Sequence, residues 1–301
     1  MSEIKKENKL LSPKLDAIFQ VIFGEVGSER ITKEFIETIL GREVGEIDLS
    51  KNQILKRELK EEKLGILDVL VEINGKEKCN LEMQVANQAD ILDRILFYWA
   101  KLFTKGFRSG ENYGKLKKTI VVLIANFEIK GLERLKYHTK WELTEEKERK
   151  YILTDKEEIH ILELPKIKGK EKEDDDLLDW LFFLEDPQGE RVKKRMEEKE
   201  ELKEAVTKLK QVSDDERMQR IAELREKALH DEASIKETAL QEGLQEGLQQ
   251  GLQQGLQQGL QKGEKKAKEE IAKKMLKEKL EISLIVKMTG LREEEIRKLE
   301  A

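Results

Sequence analysis

The stretch Ile66 to Ala86, ILDVLVEINGKEKCNLEMQVA, constrains the fold more than any other part of the chain. Two apolar runs flank Asn74-Gly75, a pair suited to a hairpin turn. Strand side chains alternate between faces, so the register decides which residues meet. A two-residue loop sets Asp68 opposite Leu81 and scatters apolar residues against Lys78 and Asn80. A three-residue loop, Asn74-Gly75-Lys76, pairs Leu67 with Met83, Val69 with Leu81, Val71 with Cys79 and Glu72 with Lys78. This second register gathers the apolar residues on one face, and it is the one expected.

The same register sets Asp68 against Glu82, with Gln84 beside it. Paired residues have Cβ atoms roughly 4.5–5.5 Å apart, where like charges destabilise a sheet. Two readings follow. A face open to water makes the pair harmless. A face covered by a helix requires a shared proton or an intervening cation. Mg²⁺ would suit the second case, because it takes one or two carboxylates together with water and phosphate oxygens.

Around the hairpin the chain alternates between helical and strand patterns. Ser12-Pro13 precedes Leu15, Ile18, Phe19, Ile22 and Phe23 at helical spacing. Ile31, Phe35, Ile36, Ile39 and Leu40 repeat likewise and end at Gly41. A polar segment occupies residues 48–63, and Ala89 to Gly106 reads as a helix with one broad apolar face. Thr119 to Phe127, TIVVLIANF, is a strand buried on both faces, and Ile159 to Leu164 is a second strand. DDDLLDWLFFLEDP places acids where a helix dipole favours them and stops near Pro187. The order predicts an α/β fold with a mixed central sheet flanked by helices.

After about residue 190 the composition changes. Residues 191–240 form a charged helical segment with a thin stripe of Val192, Met196, Leu202, Val206 and Leu209. Gly243, Gly247, Gly251, Gly255, Gly259 and Gly263 then recur every four residues, so 241–263 is a repeat helix or spacer. Each interior glycine costs about 1 kcal/mol relative to alanine, and a semi-flexible helical spacer is expected over a close-packed glycine stripe. Residues 264–301 form a short tail of two helices broken at Thr289-Gly290. The tail has the shape of half a helix-turn-helix, but a small oligomerisation or packing motif is expected there.

The single cysteine, Cys79, excludes a disulfide framework and a cysteine-based zinc site. His138, His160 and His230 lack zinc-ligand spacing. No apolar stretch has transmembrane length and the N-terminus lacks a signal-peptide core, so a soluble cytoplasmic protein without membrane contact is expected. Residues 101–140 hold ten Lys or Arg and three acids, against a net charge of −5 for the whole chain. Lys101, Lys105, Arg108, Lys115, Lys117 and Lys118 are the candidate phosphate contacts.

The spacing D-x₁₃-E-x-Q across a hairpin, followed by an amphipathic helix, resembles the PD-(D/E)xK nuclease superfamily. SPKLDAIFQVIFG, LEMQ and ADILDRILFYWAKLF look closer still to the Rpn family of recombination-promoting nucleases and transposase-like proteins, over most of residues 10–190. The resemblance implies a restriction-endonuclease-like core over residues 1–190 and a DNA endonuclease dependent on Mg²⁺ or another divalent cation such as Mn²⁺. It assigns Asp68, Glu82 and the Met83 carbonyl to the metal, with Gln84 where the wider superfamily has lysine. An amide supplies no charge, although it can orient a water or a phosphate oxygen. Asp16, from DAIFQVIFG, and Arg94 with Tyr98, four apart on the following helix, are accessory candidates. The rival expectation is a catalytically silent relative that binds DNA or a partner. A third is a protein that assembles as a homo-oligomer or coiled coil through its helical extension.

Overall fold

The computed structural model describes residues 10–50 and 69–300, with side chains through Leu299. Asp68, Leu67 and the polar segment from Lys51 to Lys63 therefore lie outside the described residues. The chain divides into two compact units, one ending at Leu229 and one beginning at His230.

In the first unit, helices α1 (Asp16–Gly24) and α2 (Glu29–Leu40) precede strands β1 (Ile47–Asp48), β2 (Val69–Ile73) and β3 (Glu77–Gln84). Helix α3 (Ile91–Thr104) leads to β4 (Lys118–Ala125), β5 (His138–Trp141) and β6 (Glu157–Glu163). Helices α4 (Asp176–Glu185), α5 (Glu190–Arg195) and α6 (Glu200–Ser213) follow. The six strands form one mixed sheet in the order β1-β2-β3-β4-β6-β5. Pairing is parallel at β3–β4 and β4–β6, and antiparallel elsewhere. The mixed sheet flanked by helices is the architecture expected from the sequence.

The hairpin adopts the three-residue register: Val69 faces Leu81, Val71 faces Cys79 and Glu72 faces Lys78. Asn74 and Gly75 both have positive φ, and Lys76 N donates to the Ile73 carbonyl at 2.9 Å. Those angles suit Asn-Gly and few other pairs. Strand β4 has seven consecutive buried residues, as its β-branched run predicts.

Alternation divides the core in two. Val69, Val71, Cys79, Leu81, Met83, Ile120, Val122, Ile124 and Leu162 pack with α1, α2, α4 and α6 in the larger cluster. Phe23, Phe35, Trp180 and Phe183 form its aromatic centre. On the opposite face Val121, Leu123, Ala125, Ile159 and Ile161 pack with Ile91 and Ile95 of α3. Val192, Leu202, Val206 and Leu209 of the expected thin stripe are buried in the larger cluster.

Helix α7 (Glu216–Lys277) carries the glycine repeat and is followed by α8 (Ile282–Thr289) and α9 (Glu293–Glu300). Leu240, Leu244, Leu248, Leu252, Leu256 and Leu260 are 62–74% exposed along it. The second unit has its own small core, with Ala272, Ile285, Leu291 and Ile296 at the centre.

Candidate active site

The carboxyl end of β3 lies where the sheet changes from antiparallel to parallel pairing, with β2 on one side and β4 on the other. Alternation turns Asn80, Glu82 and Gln84 towards the α3 face, level with Val121, Leu123 and Ala125 of β4. Asn80 is 0% exposed and Glu82 1%, whereas Gln84 is partly open. A charge buried that deeply is costly unless it is paired and hydrogen-bonded. Asn80 Nδ2 supplies one such bond, donating to Glu82 Oε1 at 2.8 Å. The Asn80 Oδ1 atom is buried without a hydrogen-bond partner among the described residues. Sequence reading missed Asn80, although its i,i+2 spacing from Glu82 was the available signal.

Met83 points its side chain into the larger core, so only its backbone carbonyl is suited to a metal. Asp68, the second expected ligand, lies outside the described residues.

Helix α3 packs on β4, where Ile91 and Ile95 meet Val121, Leu123 and Ala125, and its C-terminal end reaches β3 through Lys78. Its C-terminal carbonyls at Leu102 and Lys105 accept hydrogen bonds from Lys78 Nζ at 2.7 and 2.8 Å. These are carbonyls that a helix end leaves unpaired. Burial and then the nearby Lys117 lower the Lys78 amine to about 8. The first turn of α3 thus faces the carboxyl end of β3. Arg94 donates to Gln88 and to the Tyr98 hydroxyl, the latter at 3.2 Å, and its guanidinium lies 5.6 Å from the Tyr98 ring centre. The two accessory candidates therefore meet each other. Asp16 heads α1, accepts from Ala17 N at 2.8 Å and pairs with Arg225 at 3.0 Å.

The basic candidates separate into groups. Lys117 is paired with Glu72 and Lys118 with Glu158, while Lys115 lies 3.7 Å from Glu111. Lys101 and Arg108 are exposed and Lys105 is half-buried. Helix α3 ends at Thr104, so Arg108 lies in the following turn rather than on the helical face that its spacing predicts.

The match to known families spans most of this architecture. A family model described as PD-(D/E)XK nuclease family transposase matches residues 13–239. The chain belongs to that family. A second model, the C-terminal HTH domain of the Rpn/YhgA-like nuclease family, matches residues 265–301. No curated protein and no solved structure matches the chain. The match to the PD-(D/E)XK family supports the resemblance carried by SPKLDAIFQVIFG and LEMQ. The second match places a helix-turn-helix model over the tail for which a packing or oligomerisation motif was expected. Gly290, with φ 68°, caps α8, and the three residues 290–292 separate α8 from α9, as in that motif. Helix α9 nevertheless opens with Glu293, Glu294 and Glu295.

PD-(D/E)XK nucleases generally use divalent cations. Glu82 and the Met83 carbonyl offer hard oxygen donors of the kind Mg²⁺ prefers. No group of three or more His, Cys, Asp or Glu suited to a metal occurs among the described residues. No described helix is long and apolar enough to cross a membrane.

Proposed function

We propose that the chain is a divalent-cation-dependent DNA endonuclease acting in recombination or transposition. The carrying observation is the buried Glu82 carboxylate, held by Asn80 at the carboxyl end of β3. In this reading Asp68, Glu82 and the Met83 carbonyl hold Mg²⁺ or Mn²⁺. When bound, the cation supplies Lewis-acid stabilisation of the scissile phosphate and lowers the pKa of a water. Asn80 fixes the direction of the Glu82 carboxylate. Gln84, at the open edge of the site, orients the attacking water or a phosphate oxygen through its amide. Arg94 and Lys101, Lys105 and Arg108 position the strand through its phosphates.

Supercoiled plasmid provides the test. Nicking with Mg²⁺ is expected to stop in EDTA and to fall at least about 100-fold in Glu82→Ala. Cleavage that survives either treatment would refute this site. The neutral amide of Gln84 favours a second reading, a silent relative that binds DNA without cutting it. Binding with no cleavage under Mg²⁺ or Mn²⁺ would select that reading.

A further inference from the structure

The loop between α3 and β4 carries an aromatic stack that neither core uses. The Phe107 and Tyr113 rings have centres 5.4 Å apart and planes 24° apart. Neither ring belongs to the clusters that cover the two faces of the sheet. Phe107 is half-buried and covers one face of the Tyr113 ring. Tyr113 is nonetheless 76% exposed, so its other face is open. An aromatic ring left this open forfeits the burial that a core would give it.

The loop is pinned at several points. Lys78 Nζ holds its start through the Leu102 and Lys105 carbonyls, at 2.7 and 2.8 Å. Glu111 Oε2 accepts from Arg108 N at 2.9 Å, and the Asn112 side chain accepts from Gly114 N at 2.8 Å. Lys156 Nζ donates to the Gly114 and Leu116 carbonyls, on either side of Lys115. A surface fixed before binding loses less freedom on binding.

Charge around the stack is largely of one sign. Residues 101–118 hold six Lys or Arg and one acid, Glu111, in a chain of net charge −5. Glu111 accepts from the Arg108 amide and lies 3.7 Å from Lys115 Nζ, so both cations belong to the turn that carries Tyr113. Lys117 and Lys118 are paired with Glu72 and Glu158. Arg108 is exposed, and its guanidinium meets no described residue. An open aromatic face beside such cations matches an unpaired base and the phosphates that flank it. Bases inside a duplex offer no free face, because their neighbours cover both.

We propose that the Phe107–Tyr113 stack is a docking platform for one unpaired nucleic-acid strand. A base lies on the open face of Tyr113, and Arg108 and Lys115 hold adjacent phosphates. Alternation puts Lys78, Asn80 and Glu82 on one face of β3, so the anchor at Lys78 lies about 13 Å along the strand from Glu82. A stacked strand covers that distance in about four nucleotides. The platform does not rest on cleavage; only this reach rests on the nuclease reading of Glu82.

The test uses the full chain in EDTA and follows the anisotropy of two labelled probes, oligothymidylate of about ten nucleotides and a blunt duplex. Tyr113→Ala is expected to weaken oligothymidylate binding roughly 5–100-fold, and Tyr113→Phe by less than about twofold. Arg108→Ala should flatten the salt dependence by about 0.7 in log Kd per log[salt], whereas Tyr113→Ala should leave that slope alone. The duplex should lose no affinity in Tyr113→Ala. No oligothymidylate binding by the wild-type chain, or full affinity in Tyr113→Ala, would overturn the proposal. A loss in Tyr113→Phe as large as in Tyr113→Ala, or an equal loss for strand and duplex, would do the same. Strand binding through Tyr113 with no cutting in Mg²⁺ would uphold the platform and remove the endonuclease reading instead.

Discussion

At the scale of single residues, Asn80 and Glu82 show how a strand prepares a carboxylate. The amide at i−2 spends one donor on Glu82 while its own Oδ1 is left without a described partner. Such an arrangement is worth keeping where the carboxylate must point in one direction. Asn80→Ala is therefore expected to raise the Mg²⁺ concentration needed for half-maximal nicking by about 10–100-fold. An unchanged Mg²⁺ requirement in a folded variant would remove Asn80 from the site. His138 Nε2 lies 2.8 Å from His160 Nδ1 and His160 Nε2 lies 2.8 Å from Glu158 Oε1, a chain with a separate consequence for stability. His138 titrates near 4, below its ordinary 6.5, so the unfolded chain binds more protons between those values. Stability is expected to be fully present above about pH 6.5 and to fall as pH drops towards 4. Glu158, held at about 2, adds a loss of the same sign below about pH 4.5. Thermal melts from pH 7 to 4 check this, and His138→Gln should flatten the upper part of the profile.

At the scale of elements, α4, α5 and α6 are tied by one buried acid. Asp179 is 0% exposed and pairs with Arg191 at 2.7 Å, Arg195 at 2.8 Å and Lys199 at 3.1 Å. Removing it leaves three cations around an empty partner position. Asp179→Ala should cost about 3–5 kcal/mol in urea unfolding, and a loss below about 1 kcal/mol would contradict the role given to this cluster. Elements also differ in how much of them the sequence discloses. The hairpin register was legible because only one pairing puts Val69, Val71, Cys79 and Leu81 together. β4 was legible because TIVVLIA allows no polar face. β1 has two residues and β5, HTKW, has four, too few for alternation to show. The His138–His160 pair depends on β5 lying beside β6, which no local pattern announces. Asn80 escaped notice because a polar residue in a strand usually marks the wet face, and here α3 covers that face.

At the scale of the whole molecule, the two units have separate cores of very different size. Each unit has its own core, so two transitions are expected in denaturant, with the small C-terminal core melting first. Asp179→Ala should shift the main transition and leave the minor one in place. A single transition followed alike by far-ultraviolet circular dichroism and by Trp180 fluorescence would refute the division. The family matches fall along similar lines, with the nuclease model over residues 13–239 and the helix-turn-helix model over 265–301.

The four-residue repeat within α7 has a consequence in heredity. Each Gly-Leu-Gln-Gln unit is a whole number of codons, so replication slippage in its coding sequence gains or loses units without shifting the reading frame. A side chain added at any repeat glycine from Gly243 to Gly263 meets nothing within 4 Å, so no packed neighbour fixes the count. Each added unit lengthens the helix by about 6 Å and advances its face by about 40° beyond a full turn. The length of the helix can therefore change in discrete steps while the residues that build the larger core and the small C-terminal core stay as they are.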